Sequence, residues 1–394
     1  MNRVYDKSII FKKFYKFWIV YLSPNNFNYW WNFGSIALIL LFLQIITGVF
    51  LAMHYKSDIN LAFSSIEYIL RNVQYGWLIR YMHSNGASVF FIVVYLHILR
   101  SLLFSSYTYP RQLLWSSGII IFVLMIATAF FGYILPWGQM SFWAATVIIS
   151  VFSAIPVIGT DIMYWLWGGF SVDDATLNRF FSLHYLFPFI ILALSILHLI
   201  FLHEFGSNNP LGVIFRSDGV FMSPFYVVKD VFGLNIVFIF IAFLVFFVPN
   251  YLGHSDNYIL GNPLVTPPHI VPEWYFLPLY AVLRSIPNKL LGAVFLLLAI
   301  LVMLFLPFLV GRWIIVRSVF FKPFLKGLVL IFIVNSFILG WVGGQPVVAP
   351  FYAIGQFVMF IYFFIFFIII LISMLENIVL KSYLFNLKNS DLKW

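Results

Sequence analysis

The chain contains no cysteine in its 394 residues. Disulfides, thiolate nucleophiles, cysteine-ligated iron–sulfur clusters and thioether-attached haem are therefore excluded within it. Charge is also scarce. Asp, Glu, Lys and Arg make up 9% of the residues, against about 25% in a soluble domain. So few charges cannot cover a globular surface, which excludes a large soluble core. The basic residues are scattered, so the net charge of +9 does not indicate nucleic-acid binding. No repeat of 20–50 residues and no low-complexity tail is present.

Hydrophobic residues fill the space that charge leaves, at 63%. A helix that crosses a bilayer needs about 20 apolar residues. Eight segments meet this: 33–53, 79–104, 113–134, 179–203, 230–249, 290–310, 323–341 and 350–372. The fold expected is an all-α polytopic membrane protein with eight transmembrane helices. The apolar stretch at 140–158 is expected to form short helices on one surface, because Pro156 and a Gly-rich polar run interrupt it. Pro272, Pro278 and Pro287 likewise argue against a span at 272–289. With the N-terminus inside, 16 of the 22 basic residues fall on inside segments. They are Arg3, Lys7, Lys12, Lys13, Lys16, Arg100, Arg111, Arg216, Lys229, Arg312, Arg317, Lys322, Lys326, Lys381, Lys388 and Lys393. That bias puts both termini on the matrix or cytoplasmic side. A seven-span reading would separate the basic termini and fits less well. The basic, aromatic N-terminus reads as an interfacial segment. Three regions are expected: that segment at 1–32, a four-helix bundle at 33–220 with surface helices near 137–158, and a C-terminal region at 221–394.

Four histidines sit in hydrocarbon. His83 and His97 lie on the second span, and His184 and His198 on the fourth. Both pairs are 14 residues apart. That spacing advances about 21 Å along a helix and makes nearly four whole turns. Each pair thus shares a face, with one imidazole near each membrane surface. Both spans run outside to inside, so His83 and His184 lie near the outer surface and His97 and His198 near the inner one; if the two helices are bundle neighbours, they present two His–His pairs. Paired imidazoles suit axial ligation of two non-covalent b-type haems, six-coordinate and electron-carrying. Intramembrane histidines also bridge helices or serve proton and metal paths. A zinc transporter would want carboxylates nearby, and these helices have none between the paired positions.

Gly34 and Gly48 on the first span, and Gly118 and Gly132 on the third, repeat the spacing of 14. Glycines at that pitch would let macrocycle edges approach the backbone, although small residues also serve ordinary helix packing. Arg80 and Arg100 flank the first histidine pair. Each can meet a haem propionate, or a lipid phosphate, or snorkel to solvent.

Taken with these marks, the motifs GYILPWGQMSFW at 132–143, GGFSVDDATLNRFFSLH at 168–184, PEWY at 272–275 and LRSIPNK at 283–289 make the chain resemble the cytochrome b family of bc1 complexes (respiratory complex III). The resemblance spans nearly the whole chain. It implies ligation of a low-potential haem b by His83 and His184, and of a high-potential haem b by His97 and His198. The plastid-type relatives are split in two and carry one more residue between the second histidine pair, so the bc1 form is the nearer. Localisation in the mitochondrial inner membrane is implied, or in a bacterial plasma membrane. The implied activity is that of the catalytic subunit of ubiquinol–cytochrome c reductase. It oxidises quinol at an outer site, reduces quinone at an inner one, and contributes to the proton-motive force.

At the outer site the resemblance assigns Glu273 as proton acceptor from quinol. Tyr133 and Tyr275 stand beside it, and Phe131, Ala144, Pro272 and Tyr280 line the ring pocket. A surface carboxylate is the plainer reading of Glu273. At the inner site it assigns His203 to a quinone carbonyl and Asp230 to proton supply, with Asn32, Ser35, Ser207 and Lys229 nearby. Asp230 is also an ordinary helix-start residue. The partners implied are the Rieske iron–sulfur protein, cytochrome c1, other complex III subunits, a second copy in a homodimer, and lipids such as cardiolipin; no nucleic acid is implied. His54, His254 and His269 are not expected to bind metal.

Ala144 departs from the glycine common in the family, as Val271, Pro278 and Leu279 depart around PEWY. Its methyl is expected to narrow the outer pocket and weaken methoxyacrylate-type inhibitors. Two other classes compete. A secondary transporter would show inverted repeats, and a haem-b anchor for a dehydrogenase would lack PEWY; neither condition is met.

Overall fold

A computed structural model describes residues 19–212, 218–310 and 317–390, together with residues 8, 9, 11, 12 and 15. Of the basic residues counted above, Arg3, Lys7, Lys13, Lys16, Arg216, Arg312 and Lys393 lie outside the described residues, as does most of 1–18. From residue 19 on, the described α-helices follow in order: α1 Phe33–Ala52, α2 Ala62–Arg71, α3 Gly76–Leu103, α4 Gln112–Ile134, α5 Gln139–Val151, α6 Gly159–Trp167, α7 Asp174–Phe205, α8 Val227–Phe247, α9 Leu277–Arg284, α10 Lys289–Val310, α11 Pro323–Gly343 and α12 Phe351–Ser390. Among the described residues, eight are long and apolar enough to cross a membrane: α1, α3, α4, α7, α8, α10, α11 and α12. They coincide with the eight expected segments, and α5 and α9 are the short helices where prolines argued against spans.

Local chemistry sets several boundaries. Asn28 accepts the Trp30 amide at 3.1 Å and opens the turn Tyr29–Trp31 ahead of α1. Asp173 and Thr176 form a reciprocal cap, so α7 begins five residues before the expected 179. Pro323 stands at the first position of α11, where its missing N–H costs nothing. Pro188 lies inside α7, a place where membrane helices tolerate proline when neighbouring groups re-satisfy the freed backbone.

α1 packs antiparallel against α3, and α4 against α7. These two couples make the bundle that carries the four histidines. One hydrophobic core runs through it into α8 and α10–α12, with Leu40, Phe91, Phe122, Ile241, Leu306 and Phe366 among its buried residues. A second core joins the surface helices α2 and α5 to the ends of α4 and α7 through Ile69, Ile134, Ala145 and Phe180. Apolar side chains such as Phe243, Phe247 and Phe337 stay exposed on the spans, as a lipid-facing surface requires. The few strand residues form one ribbon: β1 (Leu22–Pro24) pairs antiparallel with β2 (Gly219–Phe221), and the Tyr226 hydroxyl donates to the Pro24 carbonyl.

Candidate functional site

α3 and α7 present their histidines to each other across the bundle. The ring centroids of His83 and His184 are 6.1 Å apart, and those of His97 and His198 are 6.4 Å apart. Two metal–imidazole bonds of about 2 Å, each with about 1.1 Å more to the ring centre, would hold facing rings with centroids about 6 Å apart. Both pairs therefore have the span that one shared metal ion needs.

The four glycines are matched to these rings one for one. A Cβ on Gly34 would meet His97 Cε1 at 3.2 Å, on Gly48 His83 Cε1 at 3.1 Å, and on Gly118 His198 Cε1 at 3.1 Å; on Gly132 it would collide with the His184 ring. The sequence pointed to glycines that admit a macrocycle edge. The structure gives them a nearer neighbour, the imidazole itself.

The Nδ1 atoms have partners that set their protons. Thr47 Oγ1 lies 2.9 Å from His83 Nδ1 and donates its own hydrogen to Leu43 O at 2.7 Å, so it accepts from the ring. Ser117 Oγ lies 2.9 Å from His198 Nδ1 and donates to Leu114 O. The Thr128 carbonyl accepts from His184 Nδ1 at 2.8 Å. In these three rings the proton sits on Nδ1 and Nε2 keeps its lone pair, the tautomer a metal ligand needs. His97 differs, since its Nδ1 lies 3.3 Å from Arg100 Nη2, a donor. The Arg100 guanidinium also lies over the Trp31 ring, 5.4 Å from its centroid, and its buried Nε has no hydrogen-bond partner. It therefore has capacity left for an anion such as a propionate.

A cavity of about 320 Å³ connects the outer histidine pair to the PEWY segment. Gly48, Gly132, His83 and His184 line one part of it, and Arg80, Tyr133, Glu273 and Tyr275 another. Burial pushes the Glu273 carboxyl up to about 7, and the nearby Arg80 charge opposes the rise. The segment is held on both sides. Trp274 Nε1 donates to Ser88 Oγ at 3.2 Å, and the Tyr275 ring stacks on Phe91 at 4.0 Å and 5°. Phe131, Ala144, Pro272 and Tyr280 lie outside the wall of this cavity. Phe131 packs on Phe180 at 4.8 Å, Ala144 is buried in α5, and the Tyr280 hydroxyl donates to Ile270 O at 3.2 Å.

The inner candidates fall into two groups. Asn32 Nδ2 donates to the Lys229 carbonyl at 2.9 Å, and Ser35 lies against the Asp230 carboxylate. Lys229 Nζ donates to Phe27 O and lies 5.0 Å from the Tyr29 ring centroid. In the second group His203 stacks on Tyr21 at 4.4 Å, and Tyr21 reaches the Ser207 backbone. Trp31 Nε1, donating to Asn208 O at 2.8 Å, ties one group to the other. Sequence reasoning passed over Thr47, Ser117 and Tyr21. One signal was available: Thr47 and Ser117 each precede a glycine of the spaced pairs.

Comparison with known proteins matches the chain to a family. Residues 18–206 fit the family model Cytochrome b/b6/petB, and residues 260–363 fit Cytochrome b(C-terminal)/b6/petD. The chain is 57% identical to cytochrome b of Oryza sativa subsp. japonica over 344 residues, 87% of this chain and 86% of that one. It is 58% identical to cytochrome b of Solanum tuberosum over 338 residues, 86% of each.

The chain belongs to the cytochrome b family.

A solved structure titled "Hyperthermophilic respiratory Complex III" superposes with a TM-score of 0.89 at 33% identity, covering 94% of this chain and 98% of that one. The eight-span all-α fold is the cytochrome b fold. As a cytochrome b, the chain is the multi-pass catalytic subunit of quinol–cytochrome c oxidoreductase, passing electrons from quinol to quinone in complex III. The family binds two haem b groups and acts on ubiquinone.

Proposed function

We propose that His83 and His184 hold the low-potential haem b, and that His97 and His198 hold the high-potential one. The observation that carries this is the pair of imidazole couples with metal-spanning separations, set four helical turns apart. When bound, the haems supply one-electron carriers that a chain without cysteine cannot build for itself. Thr47, Ser117 and the Thr128 carbonyl fix the ring tautomers. The four glycines make room for the rings, and Arg100 offers its free Nε to a propionate.

At the outer site Glu273 takes the quinol hydroxyl proton. Its position in the cavity beside His83 and His184, and a carboxyl pushed up to about 7 by burial, support that role. Tyr133 and Tyr275 shape the cavity, and Arg80 tunes the carboxylate. Phe131, Ala144, Pro272 and Tyr280 back this pocket from outside its present wall. At the inner site His203 holds a quinone carbonyl and Asp230 delivers the proton, with Lys229 feeding it from the surface. Asn32, Ser35 and Ser207 set the positions of these groups. The electron acceptor on the outer side is the Rieske iron–sulfur protein, with cytochrome c1 beyond it, in a homodimeric complex that holds further subunits and lipids such as cardiolipin. Residues 33–220 form the haem-binding unit and 221–394 complete the quinone sites.

A reduced-minus-oxidised spectrum of the purified complex tests the reading. Two b-type haems per chain are expected, with one lost in His97→Ala and the other in His83→Ala. A single haem per chain would overturn it.

A further inference from the structure

At the inner end of the bundle, two arginines share one loop with no ion-pair partner among the described residues. Arg111, just before α4, donates from Nε to Gly206 O at 2.8 Å and from Nη2 to Phe205 O at 3.4 Å, closing the C-terminus of α7. The chain then turns through Gly206, at φ +69°, where a Cβ would stand 3.2 Å from the Tyr21 hydroxyl. Six residues on, Gly212 lies against the backbone of Arg317 and Ser318, and Ser318 Oγ donates to Pro210 O at 2.7 Å. The 206–212 loop is thus clasped between Arg111 and Arg317. Arg317 has a buried Nε with no hydrogen-bond partner. Among the described residues the ion pairs are Arg71–Glu67 and His254–Asp256, and neither arginine is paired with a described carboxylate. Burial first, and the nearby Arg317 charge second, pull Arg111 down to about 10. Both guanidiniums are half-buried, and the buried, unpartnered Arg317 Nε is costly unless an anion completes it.

We propose that Arg111 and Arg317 form a binding site for a phosphate group, with the Tyr21 hydroxyl at its edge. A guanidinium suits a tetrahedral oxyanion through paired N–H donors. The site lies at the membrane surface nearest the His97–His198 pair, where headgroup phosphates are found. Tyr21 also stacks on His203, so an occupied site would brace one wall of the proposed inner quinone site. The site itself rests only on the arginine geometry and stands or falls apart from that reading.

The test uses the purified, delipidated holocomplex, carrying wild-type chain, Arg317→Gln or Arg317→Lys. Each is titrated with dioleoylphosphatidylglycerol in detergent and read by native mass spectrometry, with and without inorganic phosphate. Wild type is expected to bind one more phosphatidylglycerol per chain than Arg317→Gln, with affinity about tenfold higher from the lost charged hydrogen bonds. Arg317→Lys should retain much of the binding, and an unchanged b-type spectrum certifies the fold of each variant. If inorganic phosphate at millimolar concentration displaces the extra lipid, the site is a general phosphate site; if not, it reads the headgroup in its membrane setting. Equal lipid number and affinity in wild type and Arg317→Gln, with no phosphate bound, would overturn the proposal.

Discussion

Thr47 Oγ1 sits 2.9 Å from His83 Nδ1, and Ser117 Oγ sits at the same distance from His198 Nδ1. The two hydroxyls belong to different helix couples and serve diagonal members of the two histidine pairs. Each lies one residue before the glycine that its own histidine packs on, so one helical turn supplies both the clearance and the proton acceptor. Thr47→Val and Ser117→Ala keep the clearance and remove the acceptor. Loss of such a partner typically weakens ligation about 10–100-fold. We expect haem loss from the outer site in Thr47→Val and from the inner one in Ser117→Ala, each with a shifted midpoint potential. Redox titration of both variants checks this; wild-type potentials and full haem content in both would refute the assignment.

The glycines make a second, sharper test. A methyl on Gly118 would stand 3.1 Å from His198 Cε1, a contact that asks the ring to yield by a few tenths of an ångström. Overpacking of this kind costs about 1–3 kcal/mol. Gly118→Ala should therefore assemble with a perturbed inner spectrum, and Gly118→Val should lose that haem. Gly132→Ala should be worse than Gly118→Ala, because the His184 ring already fills its space. Haem content by pyridine haemochrome decides it, and equal tolerance at the two positions would contradict the ordering.

Glu273 gives a pH dependence with a definite sign. Its carboxyl is pushed up to about 7 by burial, and a base must be deprotonated to accept a proton. Quinol oxidation should rise about tenfold per pH unit below 7 and level off above it. Glu273→Gln should remove the rising limb and slow the reaction by about 100-fold. Arg80 opposes the rise, so Arg80→Met should move the limb to higher pH. Steady-state rates of the complex between pH 5.5 and 8.5 measure all three, and a limb unchanged in Glu273→Gln would assign the proton to another group.

Much of this site was legible in the sequence because a helix converts spacing into direction. A separation of 14 residues, seen four times, specified which histidines and glycines share a face, and hydropathy located all eight spans. The Nδ1 partners were hidden because Thr47 and Ser117 also make the ordinary helical bonds to Leu43 and Leu114. The pairing of Leu22–Pro24 with Gly219–Phe221 left no local trace either, since nearly 200 residues separate the strands and register information is absent from such short runs. The start of α7 was misplaced because Asp173 and Thr176 cap it in a polar stretch that hydropathy discounts. The outer pocket was the least legible part. Lying in or beside the same motifs did not bring Phe131, Pro272 and Tyr280 into the cavity that Tyr133, Glu273 and Tyr275 line.

Ala144 is buried at 5% exposure in α5 and does not line the outer cavity. Ala144→Gly removes a methyl from a packed helix and costs roughly 0.5–1 kcal/mol of helix stability. If the methyl restricts the outer pocket, the variant should bind methoxyacrylate-type inhibitors more tightly at unchanged turnover. Inhibitor titration of the two complexes measures it, and equal sensitivity would show that this side chain has no part in the pocket.

Asn32 couples the first span to α8 through its 2.9 Å bond to the Lys229 carbonyl, and its amide nitrogen fills the space beside Gly233. Lys229 and Asp230 hang from that same turn of helix. Asn32→Ala removes a buried hydrogen bond worth about 1 kcal/mol and frees the turn to shift relative to Ser35. The expected result is a loss of quinone affinity confined to the inner site, about fivefold from that bond alone. With the outer site blocked by an inhibitor, reduction of the b haems by quinol through the inner site should need correspondingly more quinol. Outer-site turnover, measured separately, should keep its KM. A rise in KM at the outer site with none at the inner one would place Asn32 in general packing and detach it from the quinone.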